Sequence, residues 1–376
     1  MFSTTACYKE SLNLLLALSR LCKLQFPKPG AMKKYYYTLA ALMTGLLFQA
    51  CQPKPENSTP SLSYFDLGEA GLKAGGVKMI SIMNGQYKVW TKRIGNNPQI
   101  KVLLLHGGPA FTHEYFESFD SFLPKEGIEY YYYDQLGSYY SDQPTDSNLW
   151  TTDRFVEEVE DVRKGLGLDS TNFFLLGSSW GGILAIEYAL KYQQNLKGLI
   201  ISNMMASAQD YGKYANDVLA KQMDPKVLQE VRALEAKKDF ANPRYEELLF
   251  AHYYTEHVLR IPVGQWPDPV NRAFKHYNQS IYVLMQGPSE FGVSGRLEKW
   301  DRKADLPKLT IPTLTIGAKH DTMDPEHMKW MSTQVKQGRF LFCPNGSHLS
   351  MWDDQDHYFP GVIQFLRDVD SGRFGK

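Results

Sequence analysis

Ser179 lies between two glycines in Gly177-Ser178-Ser179-Trp180-Gly181-Gly182, behind the apolar run Phe173-Phe174-Leu175-Leu176 and ahead of Ile183-Leu184-Ala185-Ile186. The order reads as strand, tight turn and helix. That is the G-x-S-x-G nucleophile elbow, in which small flanking residues let the chain fold sharply and lift a serine hydroxyl clear of the sheet. Such a hydroxyl is a weak nucleophile near neutral pH. It needs a base within hydrogen-bond reach and a third group that fixes the base's tautomer, and the chemistry of the complete set is acyl transfer.

In sheets that carry this elbow the partners follow in the order acid, then histidine, each in a loop at the carboxyl end of a strand. Residues 313–317 run into Ala318-Lys319-His320-Asp321, and residues 339–342 run into Cys343-Pro344-Asn345-Gly346-Ser347-His348. Asp321 and His348 are therefore the expected acid and base. Asp324, before Pro325, is a rival acid that helix capping explains equally well, and His320 is a poor base candidate. The oxyanion of acyl transfer needs N–H donors already in place. Trp180, after the nucleophile, supplies one. The loop His106-Gly107-Gly108-Pro109-Ala110 supplies the second, from Gly108 with Gly107 as the near alternative.

Holding these loops at one edge requires an α/β fold, a mostly parallel sheet flanked by helices. Short apolar runs predict strands at 101–105, 129–133, 173–176, 197–202, 313–317 and 339–342, with an antiparallel pair before them at 76–83 and 86–94. Phe155, Val159, Val162 and Leu166 recur at helical spacing within 153–166, and a closing helix is expected over 358–367. Between 203 and 305 the alternation breaks into helix-forming stretches at 227–238 and 245–259, which predicts a helical cap inserted after the strand that follows the elbow. The core is thus expected in two parts, 62–202 and 306–376.

Residues 32–50 open with Met32-Lys33-Lys34, continue through an apolar run and meet Cys51. A basic start, a short apolar stretch and a small residue before the cut describe a secretory signal, and it is similar to a bacterial lipoprotein signal in which Cys51 is lipidated. The run is short and interrupted for a full membrane span. The expectation is export to the bacterial cell envelope with a lipid anchor, or release into the periplasm after cleavage. Residues 1–51 then form a dispensable leader plus signal, and 52–61, rich in proline and polar residues, a tether.

The 376 residues carry 41 basic and 41 acidic side chains, so no net field favours nucleic acid, and membrane contact is expected only through the N-terminal lipid. Of the four cysteines only Cys343 falls in the folded body, which leaves no disulfide framework and no CxxC metal site. His252 and His257 are five apart, off a common helical face. No metal or other cofactor is expected.

The His-Gly-Gly-Pro loop at 106–109, Asp134-Gln135-Leu136-Gly137-Ser138, the elbow at 177–182, and the late Asp321 and His348 resemble the proline iminopeptidase family of α/β-hydrolases. The resemblance runs from about residue 62 to the end and includes the cap, through Gln286-Gly287-Pro288-Ser289-Glu290-Phe291 and Lys299-Trp300-Asp301. It implies an α/β-hydrolase fold and a serine aminopeptidase that releases an N-terminal residue, foremost proline, from short peptides or aminoacyl amides. It also implies that Glu290 binds the substrate's free amine. Thr322 stands where some relatives have a second glutamate, Ala110 replaces a common glycine, and Leu136 a common arginine. Rival expectations are an esterase or amide hydrolase of the same fold, which would not require a free amine, and a non-catalytic surface binding protein.

Overall fold

The computed structural model describes residue 71 and residues 73–375, all within the unit Leu62–Lys376. The signal-like segment, the tether and Cys51 lie outside the described residues. Eight strands form one sheet in the order β1-β2-β4-β3-β5-β6-β7-β8. They are β1 (Val77–Ile82), β2 (Tyr87–Ile94), β3 (Lys101–Leu105), β4 (Glu129–Asp134), β5 (Phe173–Ser178), β6 (Gly198–Ser202), β7 (Pro312–Ala318) and β8 (Gln337–Cys343). β2 pairs antiparallel with both β1 and β4, and every pairing from β4 through β3 to β8 is parallel.

The continuous apolar runs form central strands because a parallel sheet is covered on both faces. Val102 to Leu105 of β3 and Phe173 to Leu176 of β5 are fully buried, as are Leu199 and Ile200 of β6. Each such side chain contributes on the order of 2 kcal/mol by leaving water. The helix Thr152–Leu166 packs its Phe155, Val159 and Val162 stripe inward; Thr151 caps its first turn by accepting from the Arg154 N–H, and Gly167, at φ 67°, ends it. The chain between β6 and β7 is helical, with helices at Ala208–Tyr214, Pro225–Ala236, Pro243–Leu249, Asp268–His276 and Gln279–Met285. The helix-forming stretch expected over 245–259 is helical from Pro243 to His257, with one widened turn, Phe250–Tyr254, between Pro243–Leu249 and Thr255–His257. Tyr253, Tyr254 and His257 are buried there.

Two parallel neighbours, β3 and β5, set the position of the elbow. Their last pair is Leu105 with Gly177, so the loops that follow leave the sheet side by side. The helix Trp180–Tyr192 begins immediately after Ser179, and its Gly181 lies against the end of β3. A Cβ there would be 2.0 Å from the Leu105 carbonyl oxygen and 3.0 Å from that of His106. Backbone atoms cannot rotate away, so Gly181→Ala is expected to destabilise by at least the roughly 1–3 kcal/mol typical of overpacking. A urea unfolding midpoint equal to the wild type would contradict this tight approach.

Candidate active site

Ser179 takes φ 57° and ψ −127°, a left-handed conformation unusual for serine and the form strain takes at functional turns. Its N–H donates to the Ser202 carbonyl at 3.1 Å, which ties the elbow to the end of β6. Ser179 and His348 line one cavity of about 430 Å³ together with Gly107, Gly108 and Glu290. Its apolar walls include Phe111, Val258, Val270, Ala273, Phe274 and Leu349. Four of those six, from Val258 to Phe274, come from the segment between β6 and β7.

Asp321, at the end of β7, and His348, after β8, meet through a hydrogen bond of 2.7 Å from His348 Nδ1 to Asp321 Oδ1. Asp324 instead caps the helix Pro325–Gln334, accepting from the Glu326 N–H at 3.0 Å, so the two acidic residues near this loop have separate tasks. His320 does not line the cavity; its carbonyl accepts from His257 Nδ1 at 3.0 Å. Burial opposes charge on the His348 imidazole more than any single neighbour favours it, but the Asp321 charge and hydrogen bond together with the Glu290 and Asp353 charges prevail, and the ring is held above its ordinary value. His348 Nε2 is buried and has no hydrogen-bond partner in the protein. The contact between nucleophile and base is therefore open here, as is common before substrate binds.

Asp321 is fully buried, and both its oxygens are satisfied. Oδ1 also accepts from the Met323 N–H at 3.1 Å and the Thr322 hydroxyl at 3.3 Å, while Oδ2 accepts from Asn203 Nδ2 at 2.7 Å. Thr322 thus sits inside the acid–base pair, its hydroxyl 3.1 Å from His348 Nδ1. Asn203 follows β6 at φ 54°. Its role escapes the sequence because its partner is 118 positions away; a polar, turn-prone residue ending a buried strand was the available hint.

In the loop after β3, the Gly107 N–H is engaged by the Tyr115 hydroxyl at 2.7 Å, and Gly107 and Gly108 both line the cavity. Gly107 packs on the nucleophile, with a Cβ there falling 2.9 Å from Ser179 Cβ. Ala110 is buried at φ 61°, a conformation glycine would adopt without strain. Leu136 is buried, its N–H donating to Glu158 at 2.9 Å.

Glu290 is fixed by tyrosines. Its Oε1 accepts from the Tyr282 hydroxyl at 2.6 Å, its N–H donates to Tyr254 at 3.3 Å, and its carbonyl accepts from Tyr211 and Tyr253. A carboxylate therefore faces the cavity that also holds the serine and histidine. Among the described residues no group of histidine, cysteine and acidic side chains could hold a metal ion.

Residues 101–355 match the model of the alpha/beta hydrolase fold. The proline iminopeptidase of Flavobacterium johnsoniae is 67% identical over 287 residues, covering 76% of this chain and 96% of its own length. That of Elizabethkingia meningoseptica is 64% identical over 292 residues, covering 77% and 97%. The crystal structure of proline iminopeptidase from Mycobacterium smegmatis aligns with a TM-score of 0.70 at 28% identity, over 79% of this chain and 99% of that one. With this fold, this gathering of serine, histidine and two carboxylates, and these relatives, the chain belongs to the proline iminopeptidase family of α/β-hydrolases.

Proposed function

We propose that the chain is a serine aminopeptidase that releases an N-terminal residue, foremost proline, from short peptides or aminoacyl amides. The observation that carries this reading is Glu290, a carboxylate held by Tyr282 in the same cavity as Ser179 and His348. A carboxylate there binds a free ammonium through a charge-assisted hydrogen bond. The apolar walls of the cavity, among them Phe111, Val270 and Phe274, suit a pyrrolidine ring. The same carboxylate argues against a general esterase of this fold, which would have no use for it.

In the proposed mechanism His348 Nε2 takes the proton of Ser179 Oγ as it attacks the carbonyl carbon of the first residue. The Gly108 and Trp180 N–H groups receive the oxyanion, each worth about 3 kcal/mol of the barrier. Asp321 holds the imidazole in the Nδ1–H tautomer and stabilises the imidazolium. His348 then gives the proton to the departing amine, the C–N bond breaks, and a water deprotonated by His348 releases the acyl group from Ser179.

We propose further that residues 32–51 direct export and that Cys51 carries a lipid. The basic start, apolar run and cysteine support this, and no helix among the described residues is long and apolar enough to cross a membrane. Cells fed radiolabelled palmitate should label the wild-type chain and not Cys51→Ala; an unlabelled wild type would overturn the anchor.

Prolyl-naphthylamide should be cleaved and its N-acetyl form left intact; equal rates on the two would exclude amine recognition. Ser179→Ala should lose on the order of a million-fold in kcat, and Glu290→Gln roughly 10- to 100-fold in kcat/KM. The base acts only when neutral, so a raised His348 pKa places the acid limb of kcat/KM above the ordinary histidine midpoint. Removing the Glu290 charge withdraws one cause of that rise. In Glu290→Gln the limb should therefore move to lower pH, and a pH–rate profile that stays in place or moves upward would contradict the electrostatic assignment.

A further inference from the structure

The two N–H groups assigned to the oxyanion belong to different segments, Gly108 to the loop after β3 and Trp180 to the elbow after β5. Stabilising one oxygen atom demands that their separation be fixed before reaction. Gln135 follows β4 and is fully buried. Its Oε1 accepts from Trp180 Nε1 at 2.9 Å, its Nε2 donates to the His106 carbonyl at 2.9 Å, and its own N–H donates to His106 Nε2 at 3.0 Å. The amide orientation is dictated by its neighbours, because an indole N–H can only donate and a carbonyl can only accept.

The imidazole between them suits this duty. Burial pulls the His106 pKa down to about 4, so the ring is neutral near pH 7, with Nδ1–H donating to the Gly107 carbonyl at 2.9 Å and Nε2 accepting. One side chain thereby joins the segment before Gly108 to the residue that bears the second donor. Neither near relative of glutamine can do this: asparagine is one methylene too short, and glutamate cannot donate to the carbonyl.

We propose that Gln135 is a positioning residue that sets the spacing of the two oxyanion donors by tying the His106 carbonyl to the Trp180 indole. The inference rests on the serine-hydrolase reading above. The Asp321–His348 pair shares none of these hydrogen bonds, so the base keeps its pKa when the tie is cut.

The test is steady-state kinetics on prolyl-naphthylamide with Gln135→Leu, Trp180→Phe and the double variant, with thermal unfolding as the check on folding. Gln135→Leu should lower kcat on the order of 100-fold, the scale of an ångström-sized misplacement, with KM within about twofold and the acid limb unmoved. Trp180→Phe keeps the backbone N–H but loses the indole donor. It should also lower kcat, and the double variant should be no worse than Gln135→Leu alone. Wild-type kcat in folded Gln135→Leu, a shifted acid limb, or losses that multiply in the double variant would each overturn the assignment. If Gln135→Leu does not fold, Trp180→Phe decides alone: reduced kcat at unchanged KM supports the tie, and wild-type kcat overturns it. A wild type inactive on the prolyl substrate would count against the peptidase reading instead, and the same comparison on p-nitrophenyl acetate would then carry the test of Gln135.

Discussion

The approach of Gly181 to the end of β3, backbone against backbone, is the constraint from which the rest of the site is built. It brings the start of one helix against the Leu105 carbonyl and so fixes how far the serine stands from the loop that carries Gly108. β3 and β5 pair as far as Leu105 with Gly177, and β6, β7 and β8 continue the same parallel arrangement. The loops bearing Asn203, Asp321 and His348 consequently emerge at the same edge as Ser179. The reactive groups thus sit on short loops anchored to neighbouring strand ends and on a helix terminus.

The price of gathering charge in such a place is desolvation, several kcal/mol for each buried ion. Around Asp321 it is offset by four donors: the His348 ring, the Thr322 hydroxyl, the Met323 amide and the Asn203 side chain. With the carboxylate so well satisfied, its field and its hydrogen bond, joined by the Glu290 and Asp353 charges, together overcome the effect of burial on His348. Glu290 is stabilised differently, by phenols from the inserted helices that grip both its main chain and its side chain. Two carboxylates in one region thus serve different ends because their neighbours differ.

Much of the core was legible in the sequence because strands buried on both faces read as unbroken apolar runs, as at 101–105 and 173–176. The route to Ser179, Asp321 and His348 was equally direct, since each follows such a run and their order is that of the fold. Glu290 was reachable only through likeness to a family, because nothing local separates a cavity carboxylate from a solvated one. Asn203, Tyr115 and Gln135 were missed as site residues for a further reason. Their hydrogen-bond partners lie on other segments, and pairing between distant segments leaves no periodic trace. The widened turn at Phe250–Tyr254, where Tyr253 packs against His257 and Phe291, was hidden likewise.

The inserted helical segment is joined to the catalytic loop by more than side chains. The His348 N–H donates to the His257 carbonyl and the Leu349 N–H to the Val258 carbonyl, both at 2.9 Å, a short strand-like seam between the inserted segment and the loop of the site histidine. Replacing the inserted segment therefore meets a boundary condition. A foreign insertion could bring any pocket lining it liked, but it would have to present two carbonyls at this seam or leave the loop around the histidine unsupported.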